Sequence, residues 1–149
     1  MMSNMKTTTN TPLSTVLDLA LARTLVLRHV DVPLGHHHGV SLSDLALLLE
    51  LRNEPGEKLR RADLAARIGI TPSGVARQLA PLERIGLVGR ESHARDARLA
   101  LVTLTDSGRR VADEALVTAE QAADSALRGI WPDADREQLA TLLAAVRRS

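Results

Sequence analysis

The chain has 149 residues and a formal net charge of +1, with no cysteine and Trp131 as its only Phe, Trp or Tyr. This length fits one domain of ordinary size, and the lack of cysteine excludes disulfides, thiolate metal sites and a cysteine redox switch. No stretch approaches the roughly 18 apolar residues of a membrane span, and no secretory signal precedes the first predicted helix, so we expect a cytoplasmic protein with no membrane partner.

The N-terminal segment predicts an arm followed by one helix. Residues 1–11 are rich in Thr and Asn and predict a disordered arm. The stretch from Leu13 to Val30 predicts a helix whose apolar face is wide enough to contact more than one neighbour. Pro33 and Gly35 are expected to end this helix, which leaves His36, His37 and His38 in a loop.

Residues 41–86 predict a second helix and then a pair of short helices. The second helix begins at Ser41 or Ser43 and ends after Arg52. Two apolar stripes at helical spacing follow, formed by Leu64, Ala65 and Ile68 and by Val75, Leu79 and Leu82. Gly69 separates them, and Thr71-Pro72 supplies an N-cap and a first-turn proline. Two short helices joined by a glycine-containing turn form a helix-turn-helix.

A basic hairpin is predicted after this helix pair. Leu87-Val88 and the run from Leu99 to Leu104 are rich in strand formers, and Arg90 to Ala97 form a polar tip. The fold class is therefore mostly α with a small β-hairpin wing, a winged helix-turn-helix. Residues 58–98 contain nine Lys or Arg against four Asp or Glu, a net +5 in a nearly neutral chain. Such a concentration beside a helix-turn-helix indicates double-stranded DNA as the partner.

Two helices are predicted at the C-terminal end. Thr105 N-caps a long Ala-rich helix that reaches about Gly129, Trp131-Pro132 breaks it, and Asp133 opens the last helix. The terminal helices carry more apolar surface than the winged helix can cover, so they predict a homodimer. We therefore expect a single domain over 12–149, with 12–52 and 105–149 as the helical dimerisation region and 58–104 as the DNA-binding region.

Three motifs make the chain resemble the MarR family of bacterial transcriptional regulators. They are Leu82-Glu83-Arg84-Ile85-Gly86-Leu87-Val88, Asp96-Ala97-Arg98 and Leu104-Thr105-Asp106-Ser107-Gly108. The resemblance extends from Leu13 to Arg147. It implies a homodimeric, ligand-responsive repressor of a palindromic operator, with a small-molecule effector in the inter-helix cleft. Because Leu and Ala predominate in the helices, ring stacking on such an effector is poorly supported.

The DNA-binding candidates lie on the second helix of the pair and in the wing. We expect Arg77 to pair with guanine or contact a phosphate, and Gln78 to pair with adenine. The resemblance implies that Arg98 reaches the minor groove while Asp96 orients it, or stabilises the turn. Thr71 and Ser73 are expected to hold a phosphate, with Ser73 also able to read a base edge. Arg90 is expected to face a phosphate or solvent, and Arg95 is a further candidate in the wing.

Pro81 is unfavourable for the helix that carries Arg77. A proline removes one backbone hydrogen bond and clashes with the carbonyl four residues before it, here that of Arg77. We therefore expect this helix to kink or end early at Pro81, which would alter the aim of Arg77 and Gln78.

Two other functions stay open from the sequence. A winged helix can serve as a protein-interaction module, and the loop of His36, His37 and His38 suggests a metal-responsive regulator. Adjacent loop residues rarely all reach one ion, so neither a metal nor another cofactor is predicted. No Gly-rich phosphate loop, nucleophile elbow or paired-carboxylate motif is present, and we expect no enzymatic activity.

Overall fold

A computed structural model describes residues 11–93 and 96–146, and the side chains of all of these except 92–100. Within those ranges the chain forms six helices, α1 (Pro12–His38), α2 (Leu42–Asn53), α3 (Arg61–Ile68), α4 (Pro72–Arg84), α5 (Asp106–Arg128) and α6 (Asp133–Val146). It also forms three strands, β1 (Lys58–Arg60), β2 (Val88–His93) and β3 (Asp96–Leu104), in one antiparallel sheet of order β1-β3-β2. The predicted fold class is confirmed.

Side-chain caps begin α2, α4 and α5 where the sequence predicts. Ser41 accepts a hydrogen bond from the Asp44 N–H, and Asp44 accepts one from the Ser41 N–H, which forms a capping box at the start of α2. Thr71 caps α4 and Thr105 caps α5. Each hydroxyl satisfies a backbone N–H that would otherwise lack a helical partner.

The predicted end of the first helix is wrong, because α1 continues through Pro33 and Gly35 to His38. The helix ends instead at Gly39, whose φ of 68° is left-handed and whose N–H donates to the Gly35 carbonyl. Leu34, directly after the proline, is fully buried, so core packing keeps this turn helical despite the lost hydrogen bond. The three histidines form the last turn of α1 and not a loop. Thr11, assigned by sequence to the arm, caps the start of α1, and residues 1–10 lie outside the described ranges.

Pro81 does not end α4, which continues to Arg84. Leu79 and Leu82 flank the proline and are buried, so their packing against the rest of the winged helix holds the last turn in place. The expectation of an early end at Pro81 is therefore wrong.

The hairpin is longer and its tip shorter than the sequence predicts. β2 continues to His93 and β3 begins at Asp96, so only residues 94 and 95, outside the described ranges, connect the strands. Strand β1 was not predicted; its Leu59 is buried and lies opposite Val102 of β3. The cross-strand partner supplies the backbone hydrogen bonds here, so polar side chains do not prevent strand formation.

The core lies between the second half of α1, α2, the winged helix and the first half of α5. Small residues on α5 permit the close approach of the neighbouring helices α1 and α2, and the buried alanines are Ala112, Ala115 and Ala119. By contrast, α6 has no buried residue, and the first half of α1 exposes a row of leucines and valines. In the part of the chain that the structure describes, no helix is both long and apolar enough to cross a membrane.

Candidate nucleic-acid interface

Helix α4 has one buried and one outward face. Val75, Leu79 and Leu82 are buried in the core. Ser73, Arg77 and Arg84 recur at intervals of about one or two turns, and all three are exposed. Arg77 has no hydrogen bond or ion pair with any other described residue, so its guanidinium group is available to a partner. The outward face of α4 is therefore a polar and basic stripe.

The N-terminus of α4 is fixed by Thr71. Its Oγ1 accepts the Gly74 N–H at 3.1 Å and lies 3.1 Å from Ser73 Oγ. A β-carbon at Gly74 would lie 3.2 Å from Thr71 Oγ1, so a small residue suits this turn. Thr71 is thus occupied as a cap, and Ser73 is exposed on the first turn of the helix.

Gln78 does not share the outward face of Arg77. Its Nε2 donates a part-buried hydrogen bond of 3.2 Å to Asp44 Oδ1, in the first turn of α2. In this arrangement, reading an adenine would require Gln78 to release Asp44.

The base of the wing contains two exposed ion pairs. Arg90 Nε donates to Glu83 Oε1 at 2.6 Å, and Lys58 Nζ lies 2.6 Å from Glu91 Oε2. The hydrogen bond from Arg90 to Glu83, assisted by the carboxylate's charge, raises the pKa of Arg90 above its ordinary value. At the tip of the wing, Arg95 lies outside the described residues. Asp96 and Arg98 belong to β3, and only their backbones are described.

Arg84 is an additional cation on the outward face that the sequence analysis did not include. It is exposed, and like Arg61 it has no ion-pair partner among the described residues. By contrast, Arg67 is 2.7 Å from Glu54 and Arg60 is 2.7 Å from Asp63. The spacing of Arg84, about two helical turns from Arg77, is the sequence signal that places it on this face.

Two cavities lie along α1, away from this basic face. One is a groove of about 1040 Å³ against α5, here called the histidine groove, whose polar lining consists of His29, His37, His38, Thr118, Gln121 and Ser125. His38 Nε2 lies 2.8 Å from Thr118 Oγ1. The other, the apolar pocket, has about 600 Å³ and lies among α1, α6 and the end of α5, with lining that includes Leu19, Val26, Leu127, Trp131 and Leu139.

The histidines do not form a metal cluster in the described part of the chain. His36 and His37 have ring centroids 4.9 Å apart, and His38 is engaged with Thr118. Within residues 11–93 and 96–146, no group of three or more His, Asp or Glu side chains is arranged to hold a metal ion. The geometry gives the metal-responsive alternative no support.

Comparison with known proteins places this geometry in a family. The MarR family model matches residues 38–99. The HTH-type transcriptional regulator BilQ of Clostridium symbiosum is 30% identical over 105 residues, which cover 70% of this chain and 71% of BilQ. The chain belongs to the MarR family. A second relative, the HTH-type regulator YdgJ of Bacillus subtilis, is 31% identical over 111 residues, covering 74% of this chain and 66% of YdgJ, just under two thirds.

Solved structures agree with this membership over almost the whole chain. Sco3205 of Streptomyces coelicolor, a MarR-family transcriptional regulator crystallised in complex with DNA, superposes with a TM-score of 0.80 at 27% identity. The superposition covers 91% of this chain and 84% of Sco3205. A MarR-family regulator from Rhodococcus sp. RHA1 gives a TM-score of 0.73 at 26% identity, covering 92% and 97% of the two chains. This MarR-family protein therefore has the winged-helix fold of transcriptional regulators, one of which, Sco3205, was crystallised with DNA.

One of the motifs on which the family resemblance rests has a clear structural role in this MarR-family protein. In the Leu104-to-Gly108 motif, Thr105 Oγ1 donates to the Gly86 carbonyl at 2.6 Å and accepts the Gly108 N–H at 2.9 Å. The motif therefore joins the turn after α4 to the first turn of α5. It holds the wing against the long helix of the scaffold.

Proposed function

We propose that the protein is a homodimeric, sequence-specific repressor that binds a palindromic operator in the cytoplasm. The observation that carries the proposal is the outward face of α4, where Arg77 is exposed and lacks a partner among the described residues. Arg presents a fork of donors that matches the acceptors of guanine in the major groove. Most other cations of the described winged helix are held in ion pairs, so Arg77 is well suited to read a base.

The proposed dimer accounts for the apolar surface of the terminal helices. Leu13, Leu17 and Leu21 lie one helical turn apart on α1, and their exposed fractions are 67%, 60% and 60%. On α6, Leu142 and Val146 are 59% and 65% exposed. Exposed apolar residues in such number on adjoining helices are typical of a surface that associates with a partner. A second copy related by a two-fold axis would cover both helices at once.

Such a dimer would present two copies of α4 to successive turns of a DNA duplex. We propose that Arg77 reads a base, that Ser73 and Thr71 lie at a phosphate, and that Arg84 contacts the backbone farther along the groove. In the wing, Arg90 and Arg95 would flank the duplex, and Arg98, oriented by Asp96, would enter the minor groove. The structure of Sco3205 in complex with DNA supports this mode of binding, since the two chains share the fold.

We also propose that a small-molecule effector releases the DNA. The histidine groove and the apolar pocket both border α1, the helix that carries much of the proposed dimer surface. A ligand between these helices would change how the two protomers are arranged, and so the spacing of the two copies of α4. The apolar pocket favours an aliphatic ligand, because Leu, Val and Ala predominate in its lining.

Selection from a random-sequence duplex library tests the proposed DNA binding. We expect the purified full chain to enrich duplexes with two inverted half-sites whose centres are about one helical turn apart. Enrichment of a single half-site would contradict the dimeric mode of reading. Retention of all duplexes alike, with loss of binding at moderate salt, would contradict sequence specificity.

A further inference from the structure

Gln78 lies on the buried edge of α4. Val75, Gln78, Leu79 and Leu82 have the spacing i, i+3, i+4 and i+7, which places all four on one side of the helix. The three apolar members are buried, and Gln78 itself is half-buried. Its hydrogen bond to Asp44 joins α4 to the first turn of α2.

Asp44 is held in place before it meets Gln78. Its Oδ2 accepts the Ser41 N–H at 2.9 Å and the Ser41 Oγ–H at 2.8 Å, and its own N–H donates to Ser41 Oγ at 3.1 Å. The other oxygen, Oδ1, accepts from Gln78. One carboxylate therefore closes the capping box and anchors α4, so little conformational freedom remains to be lost when the anchor forms.

The same junction is tied to α1. The Leu42 N–H, at the first position of α2, donates to Asp31 Oδ1 at 2.7 Å. Hydrogen bonds from α1 and from α4 thus meet at the start of α2, where the peptide bond between Ser41 and Leu42 links them. The junction connects the helix that borders both cavities to the helix that carries Arg77.

We propose that Asp44 is a positioning residue for DNA recognition and acts through Gln78, an inference that rests on the proposed DNA-binding function. Gln78 fixes the rotation of α4 against the scaffold, and Arg77, which precedes it in the chain and lies about 100° away around the helix axis, is exposed. In this role Gln78 keeps its bond to Asp44 in the DNA complex and reads no base. The sequence-based assignment of Gln78 to adenine is replaced by a bond within the protein.

An exchange of charge across the contact tests this role. Gln78→Glu places two carboxylates against each other, and we expect it to weaken binding to a duplex selected by the wild type by about tenfold or more. Adding Asp44→Asn restores a donor opposite the carboxylate while an amide oxygen remains for Ser41. We expect the double variant to bind within about threefold of the wild type, since the hydrogen bond is re-formed.

A charge-matched control separates the contact from the general electrostatics of DNA binding. Glu50 lies on the same helix as Asp44, and its carboxylate is 3.9 Å from Arg67. The double variant Gln78→Glu with Glu50→Gln has the same net charge as the proposed rescue, and we expect it to bind as weakly as Gln78→Glu alone. Equal recovery in both double variants, or recovery in neither, would overturn the proposal. A wild type that selects no duplex would contradict DNA binding itself, so the two failures are distinct.

Base preference provides a second readout that does not depend on the Glu variant folding. We expect Gln78→Ala to weaken binding to every singly substituted form of the selected duplex by a similar factor, with relative preferences within about twofold of wild type, because no base contact is lost. Loss of preference confined to one A·T pair in each half-site would assign base reading to Gln78 and overturn the proposal.

Discussion

Gly108 lies so close to Leu87 that a β-carbon at Gly108 would be 2.0 Å from the Leu87 carbonyl oxygen. Gly108 is buried in the first turn of α5, and Leu87 precedes the first strand of the wing. The helix and the wing therefore meet where no side chain fits. The glycine that ends the Leu104-to-Gly108 motif is required for this close approach.

Gly108→Ala is expected to destabilise the fold severely. The atom it meets belongs to the backbone, which cannot rotate away as a side chain can, and we expect the free energy of unfolding to fall by about 2 to 4 kcal/mol. Ser107→Ala is the matched control, because Ser107 is exposed on the same turn. Urea denaturation followed by circular dichroism measures both. Equal stability of the two variants would show that the helix and the wing do not pack as described.

The hydroxyl of Thr105 lies within hydrogen-bond distance of three backbone groups. We expect the stability of the fold to depend on this hydroxyl and not on the methyl group of Thr105. The hydroxyl donates to the Gly86 carbonyl, lies 3.0 Å from the Leu87 carbonyl and accepts the Gly108 N–H. We expect Thr105→Val to lower the free energy of unfolding by about 1 to 2 kcal/mol. Thr105→Ser retains the hydroxyl and should lose less than half of that. A serine variant as unstable as the valine variant would contradict the role of the cap.

The pairing of Glu57 with Arg109 should make the stability of the folded protein depend on pH in the acid range. The Glu57 carboxylate pairs with Arg109, and this hydrogen bond, together with the charges of Arg109 and Arg52, holds the pKa of Glu57 below its ordinary value despite opposing desolvation. A carboxyl whose pKa is lowered by folding stabilises the native state above its unfolded pKa, and that contribution is lost as pH falls through the folded pKa.

The comparison of wild type with Glu57→Gln measures this contribution. We expect the difference in melting temperature to be constant above about pH 5 and to shrink as the pH falls below the unfolded pKa of Glu, about 4.3. The difference should be small and should diminish with added salt, because solvent screens a partly exposed pair. A difference that does not change with pH would contradict the pairing of Glu57 with Arg109.

The sequence predicted those parts of the fold that depend on local chemistry. Thr71 and Thr105 begin helices because the hydroxyl of each accepts a nearby backbone N–H. Two or three neighbouring residues suffice to predict each cap. The alternation of buried and exposed positions on α4 also follows from periodicity alone, as the burial of Val75 and the exposure of Arg77 show. The order of the helices and the wing follows from the same signals.

The remaining features depend on residues that are distant in sequence. Pro33 does not end α1, because the burial of Leu34 outweighs the lost backbone bond. β1 is a strand because β3 lies beside it, and three residues carry too little pattern to predict that pairing. Gln78 faces inward because Asp44, 34 residues earlier in the chain, offers it an acceptor. None of these partners is visible in the local sequence.

The proposed dimer predicts that charge on the exposed face of α1 will separate the protomers. We expect the paired change Leu17→Glu and Leu21→Glu to raise the dimer dissociation constant by at least about 100-fold, because each leucine contributes about 1.5 to 3 kcal/mol on burial. Sedimentation velocity measures the change. Ile85→Glu, at a residue 57% exposed beyond the end of α4, is the control and should stay dimeric. A wild type that sediments as a monomer at micromolar concentration would contradict the dimer.

The most direct test is the affinity of the Arg77→Ala variant for a duplex selected by the wild type, measured by fluorescence anisotropy. The Arg67→Ala variant is the control. Both arginines are exposed within the helix-turn-helix, but Arg67 is held by Glu54. We expect Arg77→Ala to weaken binding by about tenfold or more, as the loss of a base contact does, and Arg67→Ala to stay within about threefold of wild type. A winged helix that serves only protein partners would be indifferent to Arg77. Undiminished binding by Arg77→Ala would therefore contradict the proposal that the outward face of α4 reads DNA.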